Sequence, residues 1–99
     1  MLFKIGTTVA THGALDALEA ESALIPNSSP NLLMIGLMSR HIVGDWGDVC
    51  EDDAYANDVA ITEGTRLLSA YRLVETGVKI WVITEADRSS TCILLPDEY

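Results

Sequence analysis

The chain has 99 residues, 48% of them apolar, with 6 Lys+Arg against 15 Asp+Glu and a formal net charge of −9 at pH 7. That length accommodates one domain with one core, and that apolar content lies outside the disordered range. So acidic a chain is ill suited to gripping a phosphate backbone directly, because that affinity comes from basic side chains displacing counterions. Solubility, a basic protein partner and mimicry of nucleic-acid charge all stay compatible with it.

Phe3 to Val9 predicts a first strand, with Phe3, Ile5, Thr7 and Val9 on one face. The stretch Met1-Leu2-Phe3-Lys4-Ile5-Gly6 is too short and too mixed for a secretory signal. Thr11 is placed to cap a helix from Gly13 to Ala20, with Leu15 and Leu18 on its apolar side and Asp16 and Glu19 in water. His12 falls at that helix start, as a surface residue. Leu24 to Ser29 reads as a linker, since Pro26, Asn27, Ser28 and Ser29 are turn formers.

Ser29-Pro30 is a helix start, a capping hydroxyl followed by proline at the first helical position. The helix runs from Pro30 to His41, and Leu32, Leu33, Met34, Ile35, Leu37 and Met38 cover every side of it. A helix apolar all round is either fully buried or meets a partner. Full burial is difficult in so small a domain, so Leu32, Leu33, Leu37 and Met38 become candidate contacts for a homodimer or another protein. The apolar run Leu32–Met38 is broken by Gly36 and falls far short of the ~20 residues that span a bilayer, so no membrane role is expected.

Arg40-His41-Ile42-Val43-Gly44-Asp45-Trp46-Gly47-Asp48 then concentrates chemically costly residues in one loop. His41, Asp45 and Asp48 have the donor types of a metal site or an acid–base pair, with Glu85 and Asp87 able to join from a later turn. Their spacing matches no established metal motif. The structural account is the weightier one: Asp45 and Asp48 cap backbone amides, the glycines turn the chain, and Trp46 plugs the core. No metal or cofactor is expected.

Asp48-Val49-Cys50-Glu51 has the form of a capping box, and Glu51, Asp52 and Asp53 fall in a first helical turn, where the helix dipole favours carboxylates. Gly64 ends that helix. Tyr55 and Val59 form one apolar stripe, and Cys50, Ala54 and Ile61 another. The expectation is a helix lying across the sheet with an acidic edge in water, Asp52 and Asp53 being candidate contacts for a protein partner. Between His41 and Thr65 there is no Lys or Arg.

Leu67–Val74, Val78–Thr84 and Ser90–Leu95 read as three strands joined by short turns, an antiparallel meander. Ile80, Trp81, Val82 and Ile83 are apolar on both faces, which places their strand centrally. Leu67, Ser69, Tyr71 and Leu73 share one face of the first of these strands, with Arg66 and Arg72 on the other. Asp87 and Arg88 sit in the last turn as candidate ligand-binding groups. There the plainer account is a turn-stabilising Asp and a solvent-facing Arg. Arg88 folding back onto Asp45 or Asp48 is a further option, in competition with Arg40, Arg66 and Arg72. Asp97-Glu98-Tyr99 reads as a short tail. Cys50 and Cys92 lack metal-type spacing and are expected as reduced, partly buried thiols.

The pattern Arg40-His41, Gly44-Asp45-Trp46-Gly47, Asn57, Arg66-Leu67-Leu68-Ser69-Ala70-Tyr71, Lys79 to Ser89, Thr91 and Leu94 to Tyr99 resembles a family of small uncharacterised bacterial proteins carried on plasmids and other mobile elements. The resemblance covers most of residues 40–99 and implies a mobile-element context. Some of its members carry labels such as plasmid-related protein or type I restriction subunit M. A methyltransferase does not fit this chain, which has neither a glycine-rich loop after a strand nor an Asn-Pro-Pro-aromatic motif. The element order also resembles the small ribonuclease toxins of the RelE and ParE type, which are generally basic where this chain is acidic.

The sequence therefore predicts a single α+β domain over residues 1–99, ordered β-α-α-α-β-β-β, with a C-terminal antiparallel three-stranded meander covered by helices. The expected role is that of a small acidic cytoplasmic accessory protein that acts through protein contacts or as a homodimer, without direct nucleic-acid binding. The competing expectation is a small metal-dependent hydrolase or nuclease, or a toxin-related protein, using His41, Asp45, Asp48, Glu85, Asp87 and Arg88.

Overall fold

The computed structural model describes residues 1–99. Strand β1 (Thr7–Ala10) is followed by helices α1 (His12–Ala23), α2 (Pro30–His41) and α3 (Glu51–Glu63), then by strands β2 (Leu67–Arg72), β3 (Lys79–Thr84) and β4 (Ser90–Leu94) and a 3₁₀ turn at Pro96–Glu98. This is the α+β order the sequence predicts. The strands form one sheet in the order β1-β4-β3-β2. The three C-terminal strands pair antiparallel, β3 lies inside the sheet as its two-sided apolar pattern requires, and β1 adds to β4 in parallel. The sheet is therefore mixed rather than wholly antiparallel.

The first strand is shorter than its alternation suggests because Gly6 takes a φ of +61°, where a Cβ would run into the carbonyl oxygen of Ser89. Upstream of that kink the chain leaves the sheet, and Phe3 turns into the core beside Trp46, Ala60 and Leu67. Helix α1 begins at Thr11, whose hydroxyl accepts from the Ala14 N–H, and runs on to Ala23, past the expected end at Ala20. Helix α2 has the expected bounds, with Ser29 capping Leu32 N–H and Pro30 in the first turn.

Helix α3 departs from expectation. Its N-cap is Cys50, no side chain caps it, and the Asp48–Glu51 box does not form. The reason lies one step upstream: the Asp48 N–H is drawn to the Ala70 carbonyl at 2.6 Å, so Asp48 belongs to the sheet margin rather than to the helix. Gly64 ends α3 as expected, at a φ of +74°. The helix packs on β2 and the Phe3–Trp46 cluster, with Ala54 and Ile61 inward and Tyr55 standing in water.

One face of the sheet carries the main core. Tyr71, Leu73, Ile80, Val82 and Ile93 meet Ala14 and Leu18 of α1 and Leu37 of α2. The other face carries Trp81, against which Tyr99 packs with ring centroids 5.8 Å apart. The C-terminal residues are thus docked rather than a loose tail. Glu98 accepts from Thr11 Oγ1 (2.5 Å), Leu95 N–H (2.8 Å) and Gly13 N–H (3.3 Å), a carboxylate set against the N-terminus of α1.

The two sheet edges are treated differently. Along β2, the Asn57 side chain donates to the Leu68 carbonyl (2.7 Å) and accepts from the Leu68 N–H (3.0 Å). The next outward residue, Ala70, bonds the Trp46 carbonyl and the Asp48 N–H, so residues 46–48 act as a short extra strand. Gly47 is required there, since at a φ of +73° a Cβ would meet the Ala70 carbonyl. Asn57→Ala removes both bonds to a half-buried backbone unit. It is expected to lower unfolding stability by about 1–3 kcal/mol, read as a reduced urea midpoint at unchanged slope.

Candidate functional site

The loop that looked chemically richest closes around a fully buried imidazole. His41 ends α2, is 0% exposed, and packs edge-on against Phe3 (5.1 Å between ring centroids) and Trp46 (5.8 Å). Its Nδ1 lies 2.5 Å from Ser69 Oγ on β2, and its Nε2 lies 2.9 Å from Thr84 Oγ1 on β3. Thr84 Oγ1 is 2.7 Å from Thr91 Oγ1 on β4, and Thr91 donates to the Ile5 carbonyl at 2.8 Å.

Proton counting orients this chain. Thr91 spends its single hydroxyl proton on Ile5, so it accepts from Thr84. Thr84 then has no proton left for the ring and accepts from Nε2–H. In a neutral imidazole Nδ1 is then the acceptor, and Ser69 donates to it. His41 is therefore neutral in the Nε2–H form, and burial alone holds its pKa down to about 4. Every partner is a hydroxyl, and no carboxylate shares the network.

The pairing of His41 with Asp45 that the sequence suggests does not occur. Asp45 points outward to Arg40, with Nε–Oδ2 at 2.7 Å and Nη2–Oδ1 at 3.3 Å, a bidentate ion pair. The Arg40 hydrogen bond holds the Asp45 carboxyl below its ordinary range. The Arg40 guanidinium also lies 4.4 Å from the centre of the Tyr71 ring, and the Tyr71 hydroxyl donates to the Asp45 carbonyl at 2.6 Å. Burial pushes the Tyr71 hydroxyl up to about 12. Asp48 is exposed, and its nearest cation is Arg72 at 3.9 Å. A shallow polar hollow of about 250 Å³ lies between Arg40, Asp48, Tyr71 and Arg72.

The residues of the β3–β4 turn lie elsewhere and do other work. Asp87 accepts from the Ser89 N–H at 3.0 Å and stabilises the turn, as expected. Arg88 is not solvent-facing and reaches neither Asp45 nor Asp48. It folds inward from a φ of +61°, and its guanidinium donates to the carbonyls of Ala60 (2.9 Å), Thr65 (2.7 Å), Glu85 (3.0 Å) and Ala86 (3.2 Å). It ties the end of α3 to the hairpin, as a cation suits a helix C-terminus. No three His, Cys, Asp or Glu side chains converge, so His41, Asp45, Asp48, Glu85 and Asp87 do not form a metal centre. Cys50 and Cys92 are free thiols; Cys92 is partly buried as expected, while Cys50 is exposed.

Glu21, which no motif marks, fixes a different part of the fold. Glu21 is enclosed and accepts the Glu75 and Thr76 N–H groups at 2.8 and 2.9 Å, bolting α1 to the β2–β3 turn. Burial works to raise its pKa, but these amides outweigh burial and the net shift is downward. Trp46 is the core plug its context suggests, with its Nε1–H donating to Asp58 at 3.1 Å.

The proposed interaction residues divide by burial. Leu37 is buried, while Leu33 and Met38 are half-buried against the core. Leu32 is 56% exposed and Ile35 62% exposed. With Gly36 and Ser39 they form an outward stripe at helical spacing, i, i+3, i+4 and i+7. Beside it, an apolar groove of about 480 Å³ runs between α2 and β1, lined by Ile5, Thr8, Met34, Ile35, Met38 and Ile42 among others. Asp52 and Asp53 are exposed in the first turn of α3.

No family model, curated protein or solved structure matches this chain. No helix is long and apolar enough to cross a membrane.

The buried imidazole has a measurable consequence. Its folded pKa, about 4, lies below the ordinary 6.5, so between these values the unfolded chain binds more protons than the native one. Stability conferred by neutral His41 is complete above pH 6.5, falls as pH drops through the window, and levels off below about 4. The loss over the window is roughly 3 kcal/mol by linkage. Urea denaturation from pH 7 to 4.5 is expected to show this slope in the native protein. His41→Gln is expected to be less stable at pH 7 and nearly flat across the same range.

Proposed function

We propose that the protein is a non-catalytic, cytoplasmic accessory protein, belonging to a mobile element as its resemblance implies, that works by binding a protein chain through the outer face of α2. The observation that carries this reading is the stripe Leu32–Ile35–Gly36–Ser39 beside the groove lined by Ile5, Met34 and Met38. Large aliphatic side chains more than half exposed on one helix, rimmed by a concave apolar surface, are the usual mark of a contact surface.

The side chains best suited to chemistry are otherwise engaged. His41 is sealed among hydroxyls, Asp45 is held by Arg40, and Arg88 serves backbone carbonyls. The acidic first turn of α3 is accounted for by its helix dipole and supplies no apolar anchor. Direct nucleic-acid binding is not part of the proposal, because 6 basic residues against 15 acidic ones offer no phosphate-binding face.

Ile35→Glu is a surface change expected to shift stability by no more than about 0.5 kcal/mol. Tagged native protein, co-expressed with untagged copies and captured from the host, is expected to carry bound chains that Ile35→Glu and Leu32→Glu lose at least tenfold. Asp52→Asn/Asp53→Asn should retain them. Equal capture by native protein and the two α2 variants would overturn the reading.

A further inference from the structure

The two edges of the sheet supply the next step. The edge at β2 is closed by Asn57 and residues 46–48. The edge at β1 is open. Thr7 and Thr11 donate to the Ser89 and Ile93 carbonyls of the β4 side, so alternation turns the N–H and C=O groups of Thr8 and Ala10 outward. That edge bears no charge, proline or bulge, the devices that usually block pairing with another chain. Its four residues expose too few backbone groups to hold a partner unaided. The groove fills this gap, since Thr8 forms one wall and Ile35 and Ser39 form the other.

We propose that the occupant of this face is a second copy of the chain, paired antiparallel through β1 to make one continuous eight-stranded sheet. This rests on the reading of α2 as the contact surface and names its partner. Charge selects the copy. The groove is lined by aliphatic, methionine, hydroxyl and amide side chains and contains no ionisable group, in a chain carrying −9. Two like-charged copies meet without direct repulsion across such a patch, whereas a basic partner would find no carboxylate there to bind. Symmetry agrees: a two-fold interface needs a self-complementary patch, and an edge strand is self-complementary through its backbone. A two-fold axis normal to the sheet sets both grooves on the same face, opposite one another. A lone extended peptide would satisfy β1 but bring no second groove opposite the first.

Sedimentation equilibrium of the full chain over a wide concentration range is the test. The expected result is a concentration-dependent mass approaching twice 10.7 kDa. Thr8→Lys, which sets two like charges at the edge, and Ile35→Glu are each expected to weaken the dimer at least tenfold, with circular dichroism and thermal midpoint little changed. A native protein of single-chain mass at every concentration would overturn the dimer. If Ile35→Glu still loses a captured host protein, the broader reading of α2 survives that result. A native dimer indifferent to Thr8→Lys and Ile35→Glu would equally overturn the proposed interface.

Discussion

The imidazole of His41 sits where water does not reach, and there each ring nitrogen must find a partner or stand as an unsatisfied polar atom. Ser69 and Thr84 meet that demand from β2 and β3, Thr91 on β4 accepts from Thr84, and the Ile5 carbonyl closes the line on the N-terminal segment. A polar chain of this kind is directional. Each hydroxyl has one proton to give, so the native order of donors tolerates only one tautomer and one placement of the ring. The end of α2 is thereby fixed over the sheet, and the rotation of the whole helix follows. Leu37 goes down into the core, and Leu32, Ile35, Gly36 and Ser39 are left facing out.

This ties the costly loop to the exposed face in one mechanical chain. The residues that resemble catalytic groups are the means by which a small sheet holds a helix in register, with Trp46 and Phe3 sealing the imidazole and the Arg40–Asp45 pair clasping the loop from outside. The same loop then closes the β2 edge through Gly47 and Asp48. One edge is thus completed from within the chain. The other, at β1, stays open beside the α2 groove.

Features governed by local periodicity were legible in the sequence. The strands of the meander, the Ser29-Pro30 helix start, the Gly64 stop and the burial of Trp46 all depend on residues close in the chain. Features governed by long-range hydrogen bonds were not. Glu21 and Glu98 look like ordinary acidic surface residues until amides some 54 and 85 positions away come to meet them. Arg88 looked like a turn cation, and nothing local announces that the Ala60 and Thr65 carbonyls lie within its reach. The capping box at Asp48 is the converse case. A sound local signal lost to a sheet-edge bond from the Asp48 amide to Ala70. The parallel placement of β1 was likewise undetermined, since either edge of the meander could have accepted it.

The central claim, that the open β1 edge and the outer face of α2 form one contact surface for a second copy, is tested most directly by amide hydrogen exchange as protein concentration is raised. Within one chain the N–H groups of Thr8 and Ala10 face outward, while those of Leu68 and Ala70 are bonded internally. The account predicts protection at Thr8 and Ala10 that grows with concentration, against concentration-independent protection at Leu68 and Ala70. Rapid exchange at Thr8 and Ala10 at every concentration would contradict it.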